Sequence, residues 1–377
     1  MQVMSGAGSV PTHLASLAKS LGATSLRQLF ASDSSRAKSL TRTIAVGDCE
    51  LLVDFSKQHV DARVLDALVV AARDAGVFDK RAKMIAGAAI NETEQRAVTH
   101  VAMRSTSSVT ASSALLADAD RSRQEIRDAV AAVPASIMHV VNLGIGGSDL
   151  GPALLCDALT SMRAPIREVR FASNVDPVDL DRAFAGLKAD KTLFVVCSKS
   201  FGTTETLANA RRAAKWLAAG GVADPRRHVI AVTSQPDRVP TSGLPVGRVL
   251  TMPESVGGRY SVSSAVSLSV ALGFGVEAFE EIRDGMRLID EHFVSAEPLD
   301  NVPLLHGLVW WWNSAVLGHP TVAVVPYARS LSLLPAYLQQ LIMESNGKSV
   351  DGEGKAVSVS SPVDRKSTRL NSSHTVI

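Results

Sequence analysis

Four separated clusters hold residue types able to bind and transform an anionic substrate. The first, His139 to Leu155, reads H-V-V-N-L-G-I-G-G-S-D-L-G-P-A-L-L. Its apolar lead-in, glycine-crowded turn and Pro152 spell strand, loop, helix. Glycine lets backbone N–H groups approach an anion closely, and a helix N-terminus adds partial positive charge. Phosphate is the natural ligand, although taken alone the loop fits a tight packing turn equally well. It is neither a dinucleotide fingerprint, whose third glycine is Asp149 here, nor a Walker loop, because no Gly-Lys-Ser or Gly-Lys-Thr follows. A carboxylate repels phosphate, so Asp149 reads as a helix cap facing its own backbone.

The second cluster, C-S-K-S-F-G-T-T-E-T from Cys197 to Thr206, ends another apolar run. Ser198, Ser200 and Thr203 can each donate to a phosphate oxygen and Lys199 adds a full charge; capping a helix would need only one hydroxyl. The third, V-G-G-R-Y, puts Arg259 after Gly257 and Gly258 in apolar surroundings, where a guanidinium needs a partner such as a substrate oxygen. The fourth ends the periodic stretch Leu334 to Met343 with Glu344, Ser345, Asn346 and Gly347. Asn-Gly predicts a left-handed helix stop. A carboxylate at that negative helix end is disfavoured by a few tenths to about 1 kcal/mol, which suits a proton acceptor. Gln340 precedes Glu344 by one turn and projects to the same side.

These clusters need a scaffold. From Met138 onward short apolar strands (Val140 to Leu143, Val169 to Ala172, Thr192 to Cys197, Val229 to Thr233) alternate with helical patterns. That predicts an α/β fold with a doubly wound parallel sheet and ligand groups at the carboxyl ends of its strands. Upstream, two short amphipathic helices (Leu14 to Leu21, Leu26 to Phe30), a strand from Glu50 to Phe55 and a helix from Val60 to Ala75 stopped by Gly76 are expected. N-E-T-E-Q-R-A-V-T-H-V-A-M-R, from Asn91 to Arg104, reads as a polar loop whose His100 packs rather than reacts. The pattern restarts at Gly273 to Gly275, with helices over Val276 to Phe293 and Val302 to Leu317 and a strand over Thr321 to Val325. Trp310, Trp311 and Trp312 cannot share one helix face, so part of that surface should pack against another domain or subunit.

Composition narrows the class. The 377 residues are 46% hydrophobic, and 39 basic against 37 acidic residues leave a formal charge of +2. No basic block interleaved with aromatics argues for nucleic acid as a partner. Cys49, Cys156 and Cys197 are odd in number and lack C-x-x-C spacing, which fits a reducing cytosol without disulfides or structural zinc. No signal peptide or membrane span is expected, so the chain reads as cytoplasmic.

Together, N-L-G-I-G-G-S-D-L-G-P, S-K-S-F-G-T-T-E-T, V-G-G-R-Y-S and Q-Q-L-I-M-E-S-N-G-K resemble the glucose-6-phosphate isomerase (phosphoglucose isomerase) family from about Leu51 to about Val363. The resemblance implies flavodoxin-like sugar-isomerase domains, a homodimer, no metal or organic cofactor, and interconversion of glucose 6-phosphate with fructose 6-phosphate through an enediolate, a step of glycolysis and gluconeogenesis. It implies that Ser148, Ser198, Lys199, Ser200 and Thr203 cradle phosphate, with Gly147 and Gly258 allowing close backbone approach. It also implies that Arg259 stabilises the enediolate, Gln340 contacts substrate and Glu344 is the base. Ser200 stands where the family often has threonine, and keeps the hydroxyl.

The expected organisation is an N-terminal helical segment (1–97) packing on the second domain, a first sugar-isomerase domain (98–273), an incomplete second one (274–363) and a non-native tail (364–377). After S-V-S-S-P-V the family continues into Trp-Gly-Glu-Pro-Gly and Gly-Gln-His segments, whereas this chain has D-R-K-S-T-R-L-N-S-S-H-T-V-I. The family's ring-opening histidine and C-terminal lysine are therefore expected to be missing, His374 does not replace the former, and the chain is expected to be an inactive fragment. Two other readings stay open. One is a regulatory sugar-phosphate-binding module, which would not need Glu344; the other is an isomerase with breadth at C2, such as a glucose/mannose phosphate isomerase, or a transaldolase fusion.

Overall fold

The structure is a computed structural model that describes residues 10–348, 350 and 354–356. The 364–377 tail and His374 lie outside the described residues. The chain divides into two compact units, one comprising Met1–Ala97, Gly285–Ala323 and Ile342–Ile377, the other Val98–Asp284 and Val324–Leu341.

In the first unit a hairpin pairs β1 (Thr41–Val46) with β2 (Cys49–Asp54), the chain reversing at Gly47 with φ +60°. Helices Thr12–Gly22, Leu26–Ser32 and Ala62–Asp74 form where the periodicity predicts them. Ser25 and Gln28 close a capping box, and Asp61 caps the third helix through the Val64 N–H. Gly76 does end that helix, but at φ +70° it turns the chain straight into a further helix, Val77–Ala86, that the sequence reading lacked. Leu14, Val64, Leu68, Leu305 and Trp312 share one core. The Trp312 indole donates to the His59 carbonyl at 2.9 Å, and the helix Val302–Trp311 widens into a π turn, Trp312–Val316.

The second unit holds five parallel strands: β3 (His139–Leu143), β4 (Glu168–Ala172), β5 (Thr192–Cys197), β6 (Val229–Thr233) and β7 (Arg248–Thr251), in the order β4-β3-β5-β6-β7. Four of them match the expected strands; β7 was not foreseen. Every residue of β5 and β6 is buried, as strands covered on both faces must be. Val141, Leu143, Phe194, Val196 and Ala231 alternate onto one face and pack under helices Pro177–Phe184 and Thr204–Ala219. Helices Ser113–Ala131 and Leu268–Phe274 pack against the sheet as well. The chain enters at β3, steps outward to β4 and returns across to β5, so connections diverge between β3 and β5, the crevice where open α/β sheets bind ligands.

The strand expected over Thr321 to Val325 does not form: Thr321 makes an isolated bridge and 322–326 carry no ladder. An extended apolar run becomes a strand only where a neighbouring strand takes its N–H and C=O groups, and no described strand pairs with it.

Candidate active site

Asn142 interrupts the apolar run of β3, and this buried amide donates to the Ser148 carbonyl at 3.0 Å, tying the strand to the turn that follows. The turn is a 3-10 helix, Gly146–Ser148, with Gly146 at φ +59°. A Cβ on Gly144 would lie 2.7 Å from the Ser148 carbonyl oxygen, so this position tolerates only glycine. Asp149 sits at the N-cap of helix Leu150–Thr160 without capping it, contrary to expectation. Its φ of −121° and ψ of −60° leave the extended geometry that turns a side chain back onto the first helical N–H groups.

The Gly147 backbone abuts the third cluster. A Cβ there would stand 2.1 Å from the Gly258 carbonyl oxygen and 2.7 Å from the Arg259 nitrogen. Gln340 reaches the same turn, its Nε2 lying 2.7 Å from where a Cβ on Gly146 would be. Gly258 itself faces open space: apart from its chain neighbours, no atom of the described residues lies within 4 Å of a Cβ placed on it. Arg259 lies in the 3-10 helix Gly258–Ser263, its guanidinium carbon 5.0 Å from the Tyr260 ring centre.

The loop after β5 leaves the sheet at the same level, because Leu143 pairs with Val196. Ser198 and Thr203 bring their hydroxyls to 3.2 Å of each other. Thr203 occupies the N-cap of helix Thr204–Ala219, yet its side chain makes no capping bond. The pair therefore stands at a helix N-terminus without serving as its cap, which is the setting for an anion. The Ser200 hydroxyl accepts from the Gly202 N–H at 3.3 Å, and the buried Phe201 is held at φ +45°, a conformation non-glycine residues seldom adopt.

Lys199, expected to help cradle phosphate, makes contacts of its own within the protein. Its ammonium donates to the carbonyls of Glu254 at 2.6 Å and Val256 at 2.9 Å, in the loop leading to Arg259. Three N–H donors must be satisfied, and these carbonyls are held within reach. The Lys199 carbonyl accepts from Thr233 Oγ1, Ser234 Oγ and the Ser234 N–H, which fixes the loop to the end of β6.

Glu344 and Gln340 share the helix Leu334–Asn346, one turn apart, and both are half-buried. Gly347 is not in the left-handed conformation expected of the stop. Its N–H bonds the Met343 carbonyl at 2.8 Å, and a Cβ would come 2.5 Å from that oxygen, so crowding and not handedness selects glycine.

Sequence reasoning missed Asn142 and Tyr260; a lone amide in an apolar strand was the available signal for the first. His100 does pack, as expected. Its ring stacks on Tyr260 with centroids 4.7 Å apart, and its Nδ1 is enclosed without a hydrogen-bond partner. Burial, with Arg104 and Arg259 adding repulsion, lowers its pKa from 6.5 to about 3. The unfolded chain takes up this proton near pH 6.5 and the folded one only near pH 3, so the contribution to stability is present above about pH 6.5 and lost as pH falls towards about 3. Chemical denaturation across that window should show a slope of up to about 1.4 kcal/mol per pH unit that His100→Phe removes; equal slopes would refute the assignment.

Among the described residues no group of three or more His, Cys, Asp or Glu could hold a metal ion, and no helix is long and apolar enough to cross a membrane. Burial pushes the Cys156 and Cys197 thiols up to about 12, which keeps them unreactive.

A sequence profile of the family described as phosphoglucose isomerase matches residues 54–376. Glucose-6-phosphate isomerase 4 of Rhodococcus jostii is 42% identical over 352 residues, covering 89% of this chain and 62% of that protein. Glucose-6-phosphate isomerase of Aromatoleum aromaticum is 43% identical over 353 residues, covering 89% and 63%. The chain thus spans less than two thirds of the length of these curated relatives. The crystal structure of a glucose-6-phosphate isomerase from Chlamydia trachomatis superposes with a TM-score of 0.85 at 29% identity, covering 94% of this chain and 70% of that one. A profile match over most of the chain, relatives above 40% identity and a shared fold agree: the chain belongs to the phosphoglucose isomerase family.

Proposed function

We propose that the protein interconverts glucose 6-phosphate and fructose 6-phosphate. One observation carries the reading: the loops after β3 and β5 are both fastened to the loop bearing Arg259, the first through the Gly147 backbone and the second through the Lys199 ammonium. That gathers hydroxyls and a helix N-terminus for phosphate near a fixed guanidinium for developing oxyanion charge.

The chemistry assigns the parts. Ser148, Ser198, Ser200 and Thr203 grip the phosphate while Gly147 and Gly258 keep the backbone close, and Gln340 orients the open sugar. Glu344 takes the proton from C2 of the aldose and the carbonyl oxygen at C1 becomes anionic beside Arg259; the C2 hydroxyl passes its proton to that oxygen, and the same carboxylate returns the first proton to C1 as C2 becomes the ketone. Oxidation at C2 balances reduction at C1, so no external electron carrier is required. The working state we propose is a cytoplasmic homodimer.

The test is a coupled spectrophotometric assay, in both directions, of the full-length protein, meaning here the chain extended by the family's C-terminal segment. Arg259→Lys should lower kcat about a hundredfold with KM changed little, because lysine lacks the planar fork while keeping the charge. Absence of turnover in the unaltered protein would sink the reading, and unchanged kcat in the variant would sink the role of Arg259.

A further inference from the structure

The N-E-T-E-Q-R-A-V-T-H-V-A-M-R stretch has no part in the chemistry above, yet its C-terminal half is built against the arginine loop. The Thr99 N–H donates to the Ser255 carbonyl at 3.2 Å, and the Thr99 and Ser255 hydroxyls lie 2.7 Å apart. One residue on, the His100 ring stacks on Tyr260 at 4.7 Å, with planes inclined by 30°. The same Tyr260 ring carries the Arg259 guanidinium at 5.0 Å. The segment is itself anchored: the buried Arg283 donates to the Met103 carbonyl and the buried Arg123 to the Ser105 carbonyl at 2.7 Å.

We propose that His100, seated by Thr99, is a positioning residue for Arg259, acting through the Tyr260 ring. Arg259 is a long side chain that must hold one orientation toward a developing charge, and a guanidinium laid on an aromatic face has lost most of its freedom only if that face is itself fixed. Tyr260 is adjacent in sequence, so whatever fixes its ring also fixes the backbone that Arg259 leaves from. Stacking supplies that restraint on the ring, and the two Thr99–Ser255 bonds supply it at the start of the loop. Imidazole suits the place because it is flat and, buried beside Arg104 and Arg259, stays uncharged, with its pKa lowered to about 3; a cationic neighbour would repel the guanidinium it serves.

The catalytic arm of the test rests on the isomerase reading, and the structural arm does not. In the full-length protein, the arginine side-chain N–H resonance of Arg259, assigned by its loss in Arg259→Lys, should show the upfield displacement caused by an aromatic ring. His100→Ala should move it towards the position of an exposed arginine, and His100→Phe should restore it. With fructose 6-phosphate as substrate, His100→Ala should lower kcat about tenfold to a hundredfold with KM within about threefold, and His100→Phe should recover most of that loss. If His100→Ala does not fold, Thr99→Val must displace the same resonance. An unmoved resonance in His100→Ala, or in Thr99→Val where that variant is used, overturns the proposal whatever the activity. So does a folded His100→Phe that stays as impaired as His100→Ala. An unaltered protein without turnover overturns the isomerase reading alone, and the resonance still decides the positioning.

Discussion

Glu344→Gln should lower kcat of the full-length protein by about three orders of magnitude, within the range that a positioned acid–base group contributes, while KM for fructose 6-phosphate changes by no more than a few-fold. The side chain keeps its size and its place one turn beyond Gln340 on the helix Leu334–Asn346, and loses only the ability to accept a proton. A second readout separates chemistry from binding. In deuterated water the unaltered protein should wash deuterium into C1 of the recovered fructose 6-phosphate and C2 of the glucose 6-phosphate as the shuttled proton exchanges, and the variant should not. A variant that keeps turnover within threefold would remove Glu344 from the reaction.

Gly147→Ala should damage the candidate site more than a methyl group at any of its other glycines. Its Cβ would stand 2.1 Å from the Gly258 carbonyl oxygen and 2.7 Å from the Arg259 nitrogen, and both obstacles are backbone that no rotamer change can clear. The Arg259 loop must move by about an ångström, a displacement of the kind that costs about a hundredfold in rate, and the overpacking should cost about 1–3 kcal/mol of stability. Gly258→Ala is the matched control. Apart from its chain neighbours, its Cβ meets no atom of the described residues within 4 Å, so thermal stability should be kept while affinity for the sugar phosphate falls. Measuring kcat/KM and thermal unfolding for both variants decides the matter: an unimpaired Gly147→Ala would mean that the two loops need not touch.

The architecture was legible where its cause is local. Runs such as Thr192–Cys197 announce a strand buried on both faces, and Val64, Leu65, Leu68 and Val69 mark one helical face, because burial imposes its period on neighbouring residues. The short strand β7 escaped, since R-V-L-T has too few residues to show a period, and Thr321 to Val325 misled, since an apolar run does not reveal whether a partner strand stands beside it.

The site divides the same way. Sequence by itself determined which chemical groups are available and which loops carry them: glycines and a serine after β3, hydroxyls before the helix Thr204–Ala219, an arginine behind two glycines, a glutamate one turn past a glutamine. Residue type and spacing suffice for that, because a strand, a glycine turn and a helix start are written within some fifteen neighbouring residues. Only the tertiary structure decided where the side chains point. Lys199 turns to the Glu254 and Val256 carbonyls, Asp149 leaves its helix uncapped, and His100 joins Tyr260 and Arg259 in one stacked group. Each of these depends on a hydrogen-bond partner, a ring or a backbone angle set by packing, and in two of the three the partner lies tens of residues or more away along the chain, at a distance over which spacing carries no information.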